Sequence, residues 1–327
     1  MLKKIVATAV ALIMIMCGTA IGFADVVDNN ISAKSQVVTI GDMEKELVSY
    51  FEENDYDITL GSKEYIDYLF NLLTFEDEEL RSQNSNYENI KIYASEYLSQ
   101  SGKDETTVTM KNSDNEKVWL LTKDAKSKTI EDVKAEAIAE DIFVESIVTH
   151  SNATHASSYN GYYATTYAKK WAKSRNPRYN DHDGAGGDCT NFVSQCVVAG
   201  GKSMTKPSPV PAGITGTVNH WYSVRYTSNG AYKWKESSSF VNVLDFYTYW
   251  KYKGVTTALY SSKAALKDGA GVGNVVQLKN GSGKWYHSII ITGGIGDRMT
   301  YCCHTGDVEG GLIDNLSGAV KYRALKF

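Results

Sequence analysis

Cys189 is the residue of this sequence best suited to nucleophilic chemistry, and it lies in the run GGDCTNFVSQC at residues 186–196. Glycines and Asp188 lead into the thiol, and apolar residues then recur at helical spacing, so a helix is predicted to begin at Cys189. The N–H groups and the dipole at a helix N-terminus favour an anion, and we therefore expect a thiolate there. Asp188 is predicted to be the N-cap of this helix, with Asn191 completing the cap.

A thiolate nucleophile needs a base, and His287 is the best candidate. It lies within the apolar run WYHSIII at residues 285–291, where an ionisable ring costs free energy unless it has a partner. The thiolate of Cys189 is such a partner, and the pair would share one proton. His304, at the end of the next predicted strand, is expected to orient the imidazole of His287, and Asp307 is the alternative for that role. A histidine on a strand is also often structural.

Acyl transfer also needs donors for the oxyanion of the tetrahedral intermediate. We expect the backbone N–H of Cys189 to supply one, with Asp188 as support and a second donor from the loop at residues 179–188, such as Tyr179. A zinc site built from Cys189, His287, His304 and Asp307 is the competing interpretation. The sequence has no Cys-x-x-Cys or His-Glu-x-x-His spacing. We therefore expect neither a metal nor any other cofactor.

The first 24 residues have the pattern of a secretory signal peptide, with Lys3 and Lys4 before the apolar stretch Ile5–Met16 and small residues around Ala24. The apolar stretch is short for a bilayer span. The mature chain is therefore expected to be secreted, without stable membrane insertion. The charge of its second part, described below, suits association with the cell wall. The sequence does not indicate an oligomeric state.

Charge divides the rest of the chain into two parts. Residues 25–150 carry a formal net charge of −16, whereas residues 151–327 carry +10. We interpret this division as an acidic accessory domain (25–150), a linker (151–158) and a basic catalytic domain (159–327). A basic exported domain suits an anionic polymer such as bacterial cell wall, although the charge can also serve solubility alone. No nucleic-acid-binding motif is present, so nucleic acid is not an expected partner. Because the two domains carry opposite charge, we expect the acidic domain to dock on the basic one and restrain it.

Apolar periodicity predicts an α+β fold in both parts. In the first part, residues 42–83 and 129–146 have helical spacing, residues 106–111 and 117–122 form a hairpin pattern, and apolar and polar residues partly alternate over 87–97. In the second part, helices come first and an antiparallel sheet follows. Its helices are predicted at 159–173 and from Cys189 to Gly200, and its strands at 274–278, 285–292 and 299–304.

The cysteines that follow the signal sequence are expected to be free thiols. Cys189 and Cys196 are separated by about 10.5 Å of helical rise, too far for a disulfide. Cys302 and Cys303 are neighbours on a predicted strand and therefore point to opposite faces. Cys196 shares the apolar stripe of its helix and is expected to be core, as are Cys302 and Cys303.

An ordered set of short segments surrounds Cys189 and the two histidines. The segments are GGDCTNFVSQCVVAGG (186–201), YAKKWA (167–172), RNPRY (175–179), SFVNV (239–243), NVVQ (274–277), WYHS (285–288) and HTGD (304–307). Together they cover about residues 159–315, and they resemble the putative amidase domain family of Gram-positive bacteria. Asn274 and Phe240 depart from the Asp and Trp of the family pattern, but neither belongs to the expected catalytic set.

That family is similar to the NlpC-type peptidoglycan hydrolases, whose fold is papain-like with a circularly related order of elements. The resemblance implies that Cys189 is the nucleophile, His287 the base and His304 the third polar group. We expect a secreted cysteine amidohydrolase or peptidase that cleaves an amide bond in cell-wall peptidoglycan. The alternative is a non-catalytic cell-wall-binding protein that retains the papain-like fold.

Overall fold

The computed structural model describes residues 37–99, 107–112, 117–148, 159–184 and 187–327. The expected signal peptide and linker lie outside these residues. The described chain is an α+β protein in which a six-stranded antiparallel sheet lies between two layers of helices. Within these residues, no helix combines the length and the apolar character that crossing a bilayer requires.

The first layer comes from the acidic part of the chain. Its elements are α1 (Ile40–Glu53), α2 (Lys63–Phe75), α3 (Glu78–Gln83), α4 (Tyr87–Leu98), the hairpin β1 (Thr107–Lys111) and β2 (Lys117–Leu121), α5 (Lys123–Ser127) and α6 (Ile130–Val148). A capping box of Thr39 and Asp42 begins α1, and the side chain of Ser62 caps α2. Strands β1 and β2 pair in antiparallel register, which confirms the predicted hairpin. The helices predicted within 42–83 and 129–146 are also confirmed.

The segment 87–97 is a helix, although its partial alternation of apolar and polar residues is a strand pattern. Ile90, Tyr93, Ala94 and Tyr97 recur at helical spacing and are all buried. Polar residues of α4 are buried too, because other elements surround the helix on most sides. The polar positions therefore do not mark a solvent-facing side, and the alternation is not evidence of a strand.

The basic part of the chain contributes the other helices and both remaining sheets. Its helices are α7 (Gly161–Trp171), α8 (Cys189–Ala199), α9 (Ser238–Val241), α10 (Val243–Tyr252) and α11 (Lys263–Gly269). Its strands are β3 (Gly213–Thr215), β4 (Ser223–Ser228), β5 (Ala231–Ser237), β6 (Thr256–Tyr260), β7 (Val275–Lys279), β8 (Trp285–Gly293), β9 (Thr300–Cys303), β10 (Val308–Leu312) and β11 (Lys321–Lys326). A small sheet has the order β3-β5-β4, and the large sheet has the order β10-β9-β8-β7-β11-β6. The helix at Cys189 and the three predicted strands are confirmed.

Strand β8 lies between the two helical layers, which explains its uninterrupted apolar sequence. Ile289 and Ile291 pack into the core shared with the first layer, and Ile290 packs against α7, α8 and α10. Cys303 and Cys302 divide between the same two cores. All four cysteines of the described residues are free and buried, so the predictions of free thiols and of a core position for Cys196 are confirmed.

The acidic part and the face of the sheet that it covers share a single hydrophobic core. The hydroxyl of Tyr286 on β8 donates to the carbonyl of Leu73 at 3.2 Å, and the backbone N–H of Ser317 donates to the carbonyl of Thr74 at 2.7 Å. The buried side chains of Lys284 and Glu96 form a salt bridge across the same boundary. The acidic part is thus docked directly on one face of the sheet.

Candidate active site

Cys189 is the first residue of α8 and is only 2% exposed. Burial raises the pKa of its thiol to about 11, although hydrogen bonds from the Ser288 backbone and from Thr190 oppose the shift. The expectation of a thiolate is therefore wrong for this arrangement, in which the thiol is protonated at neutral pH. The physical reason is that the desolvation of the sulfur outweighs the favourable field of the helix N-terminus.

Val243 and Trp285 form the apolar cluster around Cys189. Trp285 is the first residue of β8, and Val243 is the first residue of α10. The starts of both elements therefore pack against Cys189 at the start of α8. The hydroxyl oxygens of Thr190 and Ser288 are 3.0 Å apart and join the first turn of α8 to β8. These contacts fix the position of the thiol between the helix and the strand.

His287 lies in β8, immediately before Ser288, and is 1% exposed. The ring of Phe70 from α2 covers it, with the ring centroids 4.6 Å apart. Burial lowers the pKa of His287 to about 3, so the imidazole is neutral. Its Nε2 atom is buried and has no hydrogen-bond partner among the described groups. A neutral imidazole has one ring nitrogen with a free lone pair, so His287 is chemically able to act as a proton acceptor.

The backbone of Ser288 contacts Cys189, and its side chain contacts Thr190. The start of α8 therefore lies against the segment of β8 that contains His287 and Ser288. Among the hydrogen bonds of the described residues, none joins the sulfur of Cys189 to the imidazole of His287. The two residues expected to form a pair thus lie on elements that contact each other, but they are not hydrogen-bonded.

His304 is fully buried and does not contact His287 through either ring nitrogen. Its Nδ1 lies 2.5 Å from a carboxylate oxygen of Asp188, and its Nε2 lies 2.8 Å from the carbonyl oxygen of Trp171. Each ring nitrogen of His304 thus faces an oxygen acceptor, one on Asp188 and one on the Trp171 backbone. The expected orientation of His287 by His304 is thus not observed, because His304 instead links α7 to the residue before Cys189.

Asp188 occupies the N-cap position of α8, but its side chain makes no capping hydrogen bond. The carboxylate instead accepts from His304, from the amide of Asn191 at 2.7 Å and from the backbone N–H of His182 at 3.2 Å. Burial alone would raise its pKa, but the hydrogen bond and charge of His304, together with the charges of His182 and Arg175, outweigh burial and lower it. The expected N-cap role is corrected: Asp188 anchors the loop before α8 to His304.

Asp307 and Tyr179, the other residues expected at the site, have different partners. Asp307 accepts from Arg175 at 2.7 Å and lies 4.0 Å from Lys63, so the expected alternative, in which Asp307 orients His287, is not observed either. The ring of Tyr179 stacks on Phe240 with centroids 6.0 Å apart, within the core beside α8. Its ring is thus part of the hydrophobic packing rather than a donor beside the sulfur.

His182 and Glu236 form a buried pair that the sequence analysis missed. The His182 Nε2 atom lies 2.8 Å from the Glu236 carboxylate, which also accepts from Ser223 at 2.7 Å. Burial opposes the charge on His182, but Glu236 outweighs it and raises the pKa of His182 to about 9. The partners are 54 residues apart, and no local spacing signal links a loop histidine to a glutamate in β5.

Among the described residues, no group of three or more His, Cys, Asp or Glu side chains is arranged to hold a metal ion. The model of the family described as "Putative amidase domain" matches residues 158–323. No curated protein matches the chain, and no solved structure matches it. The family match includes Cys189, His287 and His304, and it extends over slightly more than half of the chain. The protein therefore belongs to the putative amidase domain family.

Proposed function

We propose that the protein is a cysteine-dependent amide hydrolase in which Cys189 is the nucleophile and His287 the general base. Membership of an amidase family indicates amide hydrolysis. The observation that supports the cysteine assignment is the position of Cys189, which begins α8 and contacts Ser288 and Trp285 of the strand that carries His287. Nucleophilic cysteine chemistry requires a thiol at such a position and a base within reach of it, and His287 is the histidine on the strand that meets the start of α8.

The reaction would proceed in two steps. His287 takes the proton of the Cys189 thiol as the sulfur attacks the amide carbonyl, and backbone N–H groups in the first turn of α8 stabilise the oxyanion. His287 then gives that proton to the leaving amine, which leaves an acyl-enzyme. Water, deprotonated by His287, attacks the thioester, and the carboxylic acid departs as the thiol is restored.

His304 and Asp188 act in this scheme as positioning residues. Their hydrogen bond joins the loop before Cys189 to the end of β9 and, through the carbonyl of Trp171, to α7. A displacement of about 1 Å at the nucleophile is enough to reduce a rate greatly. The pair thus supports the catalytic geometry without touching the reacting atoms.

The N-terminal part restrains the enzyme in this proposal. Phe70 covers His287, and the sulfur of Cys189 is almost inaccessible, so a substrate carbonyl does not reach it in the arrangement described. The raised pKa of Cys189 and the lowered pKa of His287 both follow from that burial. Movement of α2 away from β8 would hydrate both groups and return their pKa values toward the ordinary range.

We further propose that the basic part has a papain-like arrangement, similar to NlpC-type hydrolases, and that the protein is secreted and acts on peptidoglycan. The signal-like sequence and the charge of the basic part support this location and substrate. The alternative is a non-catalytic cell-wall-binding protein. A protonated, buried thiol favours that alternative, because an inert cysteine has the same properties.

Muropeptide release from purified cell wall, measured by mass spectrometry, tests the proposal. Cys189→Ala should lower the rate by about a thousandfold or more, because the nucleophile is lost. Cys196→Ala removes a buried thiol from the same helix and should retain the activity. Both substitutions are also compared in a Phe70→Ala background, in which the cover over His287 is removed. Equal rates for the two cysteine variants contradict the mechanism, and wall binding without release supports the non-catalytic alternative.

A further inference from the structure

A cavity of about 360 Å³ lies beside Trp285, the residue that packs against Cys189. We call it the cationic cavity, because Lys251, Lys279, Lys321 and Arg323 line it together with aromatic residues. Asp141 is the acidic residue among the described residues of its lining. The lining is therefore net positive, and such a cavity attracts an anionic group.

The carboxylate of Asp141 already occupies one side of this cavity. One of its oxygens accepts from the indole N–H of Trp285 at 2.9 Å, and the other accepts from the ammonium of Lys279. Asp141 belongs to α6, in the acidic part of the chain, whereas both donors belong to the sheet. An indole N–H and an ammonium that hold the two oxygens of a carboxylate form a carboxylate-binding site.

The inner wall of the cavity is linked to the nucleophile. The guanidinium of Arg323 lies over the rings of Tyr247 and Trp285, at 3.7 and 4.1 Å from their centroids. Its Nε atom donates to the side-chain oxygen of Gln277 at 2.6 Å, and the amide of Gln277 donates to Ser288 at 3.2 Å. Ser288 is the residue that contacts the first turn of α8. A group bound in the cavity is therefore held by the same packed side chains that fix Cys189.

We propose that the cationic cavity is a subsite for a carboxylate group of the amide substrate, and that Asp141 occupies it in the free protein. The inference rests on the proposed amide hydrolase function. It specifies the substrates as amides that carry a free carboxylate. Asp141 and the substrate carboxylate compete for Trp285 and Lys279. The N-terminal part thus excludes substrate from the subsite as well as from Cys189.

Binding to the Cys189→Ala protein tests the subsite without any need for turnover. The probes are acetyl-alanyl-alanine with a free carboxylate and the same peptide with a C-terminal carboxamide, both measured by calorimetry. Asp141→Asn should tighten binding of the carboxylate peptide by about tenfold and leave the carboxamide unchanged, because only the charged competitor is removed. Glu131→Gln removes a charge from the exposed start of the same helix and should change neither affinity. Adding Lys279→Gln to Asp141→Asn should abolish the preference for the carboxylate.

Equal affinities for the two peptides in the Asp141→Asn protein would overturn the subsite. Displacement of the carboxylate peptide by an equal concentration of inorganic phosphate would also overturn it, because the cavity would then be an unselective anion site. These outcomes are independent of catalysis. If the Cys189→Ala protein binds the carboxylate peptide selectively but the protein with Cys189 intact releases no product, the proposed hydrolase function is contradicted and the subsite is retained.

Discussion

His182 and His287 are both buried near the start of α8, and burial affects them differently because only one has a carboxylate partner. His182 contacts Glu236 at 2.8 Å, and its pKa is raised to about 9. His287 is covered by Phe70, and desolvation lowers its pKa to about 3. The protein thus holds one histidine charged and the other neutral at the same pH, which suits a structural role for the first and a base role for the second.

The two histidines predict opposite pH dependences of the free energy of unfolding. The folded pKa of His182 exceeds its ordinary value of 6.5, so its stabilisation is complete below pH 6.5 and is lost as the pH rises through about 9. The folded pKa of His287 is below that value, so stability falls as the pH drops from 6.5 toward about 3, because the unfolded chain takes up a proton there.

Urea unfolding from pH 4 to 10 measures these contributions as differences between the wild type and single variants. His182→Gln should remove about 3 kcal/mol of stabilisation below pH 6.5, and the difference from wild type should shrink between pH 6.5 and 9. His287→Asn should reduce the loss of stability below pH 6.5. A constant difference between wild type and His182→Gln from pH 6 to 10 would contradict the charged state assigned to His182.

Helix α2 covers His287 and contacts the turn that follows β9. Besides the contact of Phe70 with His287, the carboxylate of Asp67 accepts from the backbone N–H of Gly306 at 3.2 Å. A Cβ atom at Gly306 would lie 2.3 Å from the ring of Phe70, so this position requires glycine for the close approach. The turn after β9, which follows His304 directly, therefore fits closely against α2.

Phe70→Ala should make Cys189 more reactive toward iodoacetamide. The substitution opens space above His287, and each unit by which hydration lowers the thiol pKa gives about tenfold more thiolate at neutral pH. The pH midpoint of alkylation should then fall below the value of about 11 set by burial. Peptide mass spectrometry measures the rate at Cys189, with Cys196 in the same digest as an internal reference.

Phe51→Ala is the matched control for this experiment. Phe51 is a buried ring in α1 that packs on Tyr56 and Tyr68, so its loss also costs about 3–5 kcal/mol but leaves the cover over His287 in place. We expect little change in alkylation of Cys189 in that variant. Equal acceleration in both variants would indicate general loosening and would count against a specific cover by α2.

Local patterns predicted the elements that carry the candidate site better than they predicted its contacts. The helix start at Cys189 and the strand that holds His287 follow from apolar spacing within about ten residues. The partner of His304 cannot be predicted from such local spacing, because the ring of His304 meets Asp188 only after β9 and α8 pack together. The cover by Phe70 likewise depends on packing between distant segments, and so the burial that reverses the expected thiol pKa had no sequence signal.

At the scale of the whole molecule, the separation of charge along the chain corresponds to a docked interface. Glu96 pairs with Lys284 and Asp141 pairs with Lys279, each joining the acidic part to the basic sheet. Lys63 and Asp307 form a pair of reversed polarity, 4.0 Å apart. Charge alone predicted that the parts meet, but the shared hydrophobic core determines the face. Deletion of the acidic part would expose that core to water. Single substitutions at the interface avoid this effect and therefore test directly how the two parts are held together.

Removing one partner of the buried pair Glu96–Lys284 should cost more stability than removing one partner of the exposed pair at the interface. The side chains of Glu96 and Lys284 are 0% and 2% exposed, whereas Lys63 is 46% and Asp307 27% exposed. Burial opposes the charge of Lys284, but Glu96 outweighs it and raises the pKa of that ammonium. Glu96→Gln leaves the ammonium buried with a weaker partner and should lower the free energy of unfolding by about 3–5 kcal/mol.

Lys63→Met, which removes the exposed pair, should cost less than about 1 kcal/mol in the same urea titrations. Raising the ionic strength should reduce that smaller effect and leave the effect of Glu96→Gln nearly unchanged, because salt screens exposed charges more than buried ones. The double variant Glu96→Leu with Lys284→Met should recover much of the lost stability, since it removes both charges from the core. Equal costs for Glu96→Gln and Lys63→Met would contradict the greater cost assigned to the buried pair.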